Sequence, residues 1–328
     1  MAPCSHPVVL VGWESLVPKP IAPHSVNLHS RHVWITGASS GIGEALAYEC
    51  SRRGARLVLS SRREDALREV RERCVRPDDH AIQTLDLAEP ESLRQAAETV
   101  QNDVGPVDVL VNNGGISQRG TAAETDMDVV RRIMEVNFFG AVQLTKAVLP
   151  TMIDRQEGHI VVVSSLAGKF GTPLRSSYAA SKHALHGWFD SLRAEAHDDG
   201  IGVTLACPGF VKTNVVSNAL YPDGTPLGEE AEEKGIPPER CTTDIADAIE
   251  QETPEFTVGG WKAIAVYLKR FVPGLFRRMI RQSTAPDGDF RLEISRSYRP
   301  NYLPPTNGTV VPESRVQDGK FTVRGERR

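Results

Sequence analysis

The sequence predicts a single α/β domain: a doubly wound parallel sheet with helices on both faces, followed by a C-terminal lid and a basic amphipathic helix. Two observations carry this prediction. Between residues 32 and 207, short β-rich runs alternate with stretches of helical period, and repeated β-then-α units force parallel pairing through right-handed crossovers. The run Ile160, Val161, Val162, Val163 shows no polar alternation, as expected of a strand covered on both faces.

Residues 1–30 carry five prolines and no periodicity, which reads as a loose leader. Strands are then expected at 32–36, 56–60, 81–85, 107–112, 159–164 and 202–207. Helices are expected between them, at 42–53, 64–75, 91–103, 126–155 and 177–197. Residues 31–260 are thus expected to form the α/β domain. Beyond Cys207 the texture loosens. Residues 213–241 hold the acidic run Glu229, Glu230, Glu232, Glu233, and a short helix at 243–251 and a strand at 255–258 follow. Residues 261–282 read as one helix with Ile264, Leu268, Phe271, Leu275 and Met279 at helical spacing. Lys262, Lys269, Arg270, Arg277, Arg278 and Arg281 make it basic, and Pro273-Gly274 should kink or split it. An apolar stripe of that period is first of all a packing face, so the helix is expected to lie on the body or on another subunit; a peripheral lipid contact is the competing reading. Residues 283–328 are polar, Pro-rich and aperiodic, a tail expected to be flexible.

Composition narrows the function classes. The 328 residues include 38 Lys plus Arg against 42 Asp plus Glu, a formal charge of -4 that gives no global attraction for nucleic acid. Five scattered cysteines without a C-x-x-C pair suggest neither a disulfide framework nor a metal site, and fit a reducing compartment. No apolar run approaches the roughly 20 residues of a membrane-spanning helix. The opening apolar stretch, residues 8–13, is too short for a secretory signal. A cytoplasmic protein is expected, with peripheral membrane attachment as a variant.

The chemistry-bearing residues sit at strand ends. Thr36-Gly37-Ala38-Ser39-Ser40-Gly41-Ile42-Gly43 lies between the first strand and the first helix. A glycine-rich turn there lets the backbone approach a pyrophosphate and aims helix N-terminal N–H groups at it. Gly37, Ser39, Ser40, Gly41, Ile42 and Gly43 are therefore read as a dinucleotide cradle, and the fold as Rossmann-type. Where an NAD-specific protein would place an acid after the second strand, this chain has Arg62 and Arg63. Planar, always-charged forks suit a 2′-phosphate, which favours NADP(H). Tyr178 and Lys182 are one helical turn apart and share a face. A nearby ammonium favours the phenolate of a tyrosine whose ordinary pKa is about 10. An isolated Y-x-x-x-K is more often an exposed lysine; here Ser164-Ser165 ends the fifth strand on the ligand-binding edge and Asn137 lies in the preceding helix.

Together these positions resemble the short-chain dehydrogenase/reductase family, in its single-domain branch. The resemblance rests on T-G-x-x-x-G-I-G at 36–43, N-N-x-G at 112–115, the helical Asn137, the Ser165 to Tyr178 spacing, Tyr178-x-x-x-Lys182, and Pro208-Gly209 after the sixth strand. It implies an oxidoreductase in which Tyr178 is general acid or base and Ser165 hydrogen-bonds the substrate oxygen. Lys182 would hold the nicotinamide ribose and lower the tyrosine pKa, and Asn137 would anchor a relay water. It further implies that Asp86 and Leu87 line the adenine, that Asn112 borders the cofactor, and that Thr213, after Pro208 and Gly209, holds the carboxamide. Residues 263–268, 273–276 and 173–176 are similar to the member 7-like branch of the family, which implies a lipid- or steroid-like carbonyl or alcohol. A homodimer or homotetramer is expected. The competing class is a catalytically silent nucleotide sensor, against which the joint presence of Asn137, Ser165, Tyr178 and Lys182 argues.

Overall fold

The computed structural model describes residues 26–213, 215, 218–228, 235–259 and 264–282. The expected leader up to residue 25 and the expected tail from 283 lie outside the described residues.

Seven parallel strands form one sheet in the order β3-β2-β1-β4-β5-β6-β7. They are β1 His32–Thr36, β2 Arg56–Ser60, β3 Ala81–Ile82, β4 Val109–Asn112, β5 Gly158–Val163, β6 Ile201–Pro208 and β7 Glu255–Val258. Strand order reverses between β1 and β4, so their carboxyl ends open the crevice in which ligands of such sheets bind. One face of the sheet is covered by α1 Gly41–Arg52, α2 Glu64–Glu72 and α7 Pro238–Glu250, where Leu46, Leu67 and Ile245 meet Val33, Ile35 and Val161. The other is covered by α3 Pro90–Thr99, α5 Gly140–Arg155 and α6 Ser176–Glu195. There Leu93, Leu144 and Phe189 meet Trp34, Leu110 and Ile160. Alternate β5 residues thus feed two cores, which is why that strand lacks polar alternation.

Three local features depart from the sequence reading. Leu28, counted with the leader, is fully buried, and Val26 N–H donates to the Glu250 carbonyl; apolar burial ties this segment to α7. β3 is two residues long, although Gln83 and Leu85 N–H continue to bond Leu59 and Ser61 carbonyls beside it. The expected helix 126–155 is α4 Met127–Met134 and α5, joined by a π-helical turn, Glu135–Phe139, that contains Asn137. The split expected at Pro273-Gly274 is present: α8 Ile264–Phe271 and α9 Pro273–Gln282 are separate helices, because Pro273 has no N–H for the ladder and begins the second. No helix among the described residues is long and apolar enough to cross a membrane.

Candidate active site

The turn after β1 forms because Gly37 and Gly41 adopt positive φ, +65° and +61°. It packs against two other strand ends. A Cβ on Gly37 would lie 2.7 Å from Gly114 Cα, and one on Gly41 would lie 2.9 Å from Thr213 Cβ. Thr36 Oγ1 accepts from the N–H groups of Asn113 and Gly114, and Asn113 Nδ2 donates to the Thr36 carbonyl at 2.9 Å. The loops after β1, β4 and β6 are thereby fixed around one cleft of about 510 Å³.

Gly37, Ser39, Ser40, Gly41 and Ile42 line one end of that cleft, while Gly43 lies behind it, where a Cβ would come 2.3 Å from the Gly37 carbonyl. Arg62 and Arg63 line it too, and Arg63 Nη2 donates to Ser39 Oγ at 3.3 Å. Asp86 and Leu87 line the wall nearby. Asp86 meets Arg132 Nη2 at 3.4 Å, a second wall residue that the sequence reading missed because its partner is 46 positions away. Asn112 does not line the cleft. It is buried and its amide donates to Thr145 Oγ1, while Asn113, Gly114 and Gly115 form the wall expected of it. Strand alternation turns Asn112 into the core.

At the other end lie Ser165, Tyr178, Lys182, Pro208, Gly209 and Thr213. Ser165 follows the last buried residues of β5 and caps a short 3₁₀ turn, its hydroxyl accepting from Ala167 N–H at 3.1 Å. Tyr178 lines the same end of the cleft, and the Ser165 hydroxyl favours the ionised form of its phenol. Lys182, 4% exposed, donates from Nζ to the Val163 carbonyl at 2.8 Å, and its Nζ lies 5.8 Å from the centre of the Tyr178 ring. Asn137 is buried behind them. Its Oδ1 accepts from Ile116 N–H, and its Nδ2 donates to the Ile116 carbonyl and to Ser181 Oγ. Both amide hydrogens are thus committed to holding loop and helix together, and Gly115 keeps a Cβ out of the space between Asn137 Oδ1 and Lys182 Nζ.

The electrostatics differ from the sequence expectation. Burial pushes the Tyr178 phenol above its ordinary value; the Ser165 hydrogen bond, then the Arg175 and Arg119 charges, pull it down. Burial also lowers Lys182 to about 8, against a small opposing effect of Cys207. In the protein by itself, loss of solvation therefore outweighs the pull of Ser165, Arg175 and Arg119 on the phenol.

A glycine cradle on a doubly wound sheet, with a Ser, Tyr and Lys at the carboxyl ends of β5 and on α6, defines a nucleotide-dependent oxidoreductase site. The chain belongs to the short-chain dehydrogenase/reductase family: the model described as "short chain dehydrogenase" matches residues 31–221. Among curated relatives, it is 42% identical over 258 residues to "Dehydrogenase/reductase SDR family member 7B" of Bos taurus, spanning 76% of this chain and 79% of that protein. It is 48% identical over 194 residues to "Dehydrogenase/reductase SDR family member 7" of Homo sapiens, spanning 57% of each. A short-chain dehydrogenase from Streptomyces avermitilis superposes with a TM-score of 0.65 at 28% identity, covering 77% of this chain and 96% of that one. A family member from Burkholderia phymatum solved in complex with NAD shares the fold, with a TM-score of 0.68 at 24% identity over 76% of this chain and 96% of that one. The protein is therefore an oxidoreductase of this family, for which a nicotinamide cofactor is expected.

Proposed function

We propose that the protein is an NADP(H)-dependent carbonyl reductase or alcohol dehydrogenase acting on a lipid- or steroid-like substrate. The observation that carries this reading is one continuous cleft with Ser39, Arg62 and Arg63 at one end and Ser165, Tyr178 and Lys182 at the other. The cradle fits the cofactor, since side chains at Gly37 and Gly41 would collide with the loops that wall it. Bound NADPH supplies a hydride to the carbonyl carbon. The protein's own residues serve the oxygen: Ser165 and Tyr178 line the same end of the cleft, and their hydroxyls can bracket it as negative charge develops. Tyr178, protonated at neutral pH by its burial, gives up its proton, and runs the same step backward as a base in oxidation. Lys182, charged below about pH 8, faces the cleft where a ribose would lie and offsets the phenolate. Arg62 and Arg63 are exposed where β2 ends and both line the cleft, which suits a 2′-phosphate rather than a free ribose diol.

A peripheral contact with anionic lipid through 261–281 belongs to this reading. Tyr267 and Phe271 are 64% and 74% exposed, with Arg270, Arg277, Arg278 and Arg281 beside them and no acid between 264 and 282. Exposed Met127 and Phe139 on the α4–α5 face offer a surface for self-association, checked by sedimentation.

The test is an NADPH-oxidation screen over aldehydes, ketosteroids and acyl-ketone lipids, with Tyr178→Phe as control. Turnover of a ketosteroid or acyl-ketone lipid, abolished in the variant at unchanged NADPH affinity, is expected. NADPH binding without turnover of any of them would favour a silent sensor.

A further inference from the structure

The first N–H groups of a helix have no partner within it, and a buried donor left unmet is costly. At α6 this problem falls on the turn that carries Tyr178. The residue in the capping position is Arg175, whose side chain makes no capping bond, and Ser177 is buried, so water does not serve.

The partner comes from the loop after β4. Gln118 is 1% exposed, and its Oε1 accepts from Ser177 N–H at 2.8 Å and from Tyr178 N–H at 3.3 Å. Its Nε2 donates to Thr125 Oγ1 at 2.9 Å and to Ser176 Oγ at 3.4 Å. Thr125 Oγ1 already donates to the Thr121 carbonyl, so it must accept from the amide, which fixes which end of Gln118 faces the helix. Backbone bonds flank this side chain on both sides. Arg119 N–H donates to the Leu220 carbonyl at 2.8 Å, Leu220 N–H to the Ser117 carbonyl at 3.0 Å, and Gly120 N–H to the Leu174 carbonyl at 3.1 Å. Leu220 lines the cleft.

We propose that Gln118 is a positioning residue for Tyr178: a cap supplied from another element that holds the phenol against Ser165 and ties it to the segment around Leu220. The inference rests on the reading of Tyr178 as the proton donor and adds the residue that sets its place. It acts through Tyr178 and touches no reacting atom. Without the cap the first turn of α6 relaxes, and the phenol moves relative to the Ser165 hydroxyl that favours its ionised form. The groups that face the phenol are Ser165, Arg175, Arg119 and, 5.8 Å from its ring, Lys182. Arg119 adjoins Gln118 in the chain and Arg175 precedes the capped turn, so their favourable fields weaken in the same relaxation.

The test uses the full chain saturated with NADP⁺ and follows tyrosinate absorbance against pH. Each protein is read against its own Tyr178→Phe counterpart to isolate that residue. Gln118→Leu, similar in volume but unable to cap, is expected to raise the Tyr178 midpoint by about 0.5 pH or more, with cofactor affinity within about twofold. An unmoved midpoint in a folded variant overturns the proposal, because a merely structural role would lower the unfolding temperature alone. Should Gln118→Leu not fold, hydrogen exchange of the unmodified protein decides. Ser177 and Tyr178 amides must exchange far more slowly than those of Glu64 and Asp65 in the first turn of α2, and equal rates overturn the proposal. Turnover surviving Tyr178→Phe would instead defeat the reading on which it rests.

Discussion

Helices α6 and α8–α9 carry apolar residues at the same period and put them to opposite use. On α6, Leu185, Phe189 and Leu192 are all buried, because the helix lies on the sheet beside β5 and β6. Among the described side chains of α8–α9 only Phe276 is buried, its ring 5.3 Å from that of Phe170, with Val266, Leu268 and Ile280 half-buried around it. Most of the stripe read from sequence, Ile264, Phe271, Leu275 and Met279, faces outward instead. These helices follow β7, the last strand of the sheet, and pack on the short 166–170 segment, which covers one narrow face. Periodicity defines a face; what covers it depends on where the chain has already gone. The expectation that 261–281 packs on the body thus holds for the Phe276 side, while the sequence stripe itself is left open.

That contrast can be broken experimentally. Phe189→Ala should destabilise the whole fold by about 3–5 kcal/mol in urea titration, since it hollows the core beneath the catalytic helix. A loss confined to α6 would mean that the helix is held locally. The next effect concerns the one charge that α6 buries. Lys182 titrates at about 8 in the folded protein and near 10.4 unfolded. The unfolded state therefore binds more protons between those values, and stability rises with pH across that window. Below it both states are charged and burial is a standing penalty. Lys182→Met should be inactive yet more stable than wild type by about 1–3 kcal/mol at pH 7, with the gain gone by about pH 10. A constant difference across pH would show that the lysine is not buried as a cation.

Arg62→Ala combined with Arg63→Ala should weaken NADPH by about 10- to 100-fold and NADH by less than about threefold, as titrated by fluorescence. Equal losses would reject the phosphate site. The smallest effect is reserved for the open face. Tyr267→Ser and Phe271→Ser should each change stability by less than about 0.5 kcal/mol, yet reduce sedimentation with phosphatidylserine vesicles. Full retention on vesicles would leave that surface without a lipid role.

The parts of the site that sequence made legible are those set by local spacing. The glycine turn, the Ser165 to Tyr178 interval and the Tyr178-Lys182 turn each follow from neighbours within one element, and all reach one cleft. What escaped depends on chain returning from a distance. Gln118 bonds N–H groups 59 and 60 positions on, and Arg132 meets Asp86 46 positions back. Neither has a local signature. The direction in which Tyr178 is shifted was hidden for the same reason, since burial is a property of the assembled loops. Leu28 looked like leader because a single anchoring residue creates no period.

The central proposal is that hydride passes to a carbonyl carbon while Tyr178 protonates its oxygen, and isotope transfer measures this most directly. Wild-type protein is given NADPH deuterated at the nicotinamide C4 and the carbonyl identified by the screen, and the alcohol is analysed by mass spectrometry. One deuterium on the carbinol carbon is expected from wild type, with no labelled alcohol from Tyr178→Phe at saturating cofactor. Alcohol formed without label, or labelled equally by the variant, would contradict it.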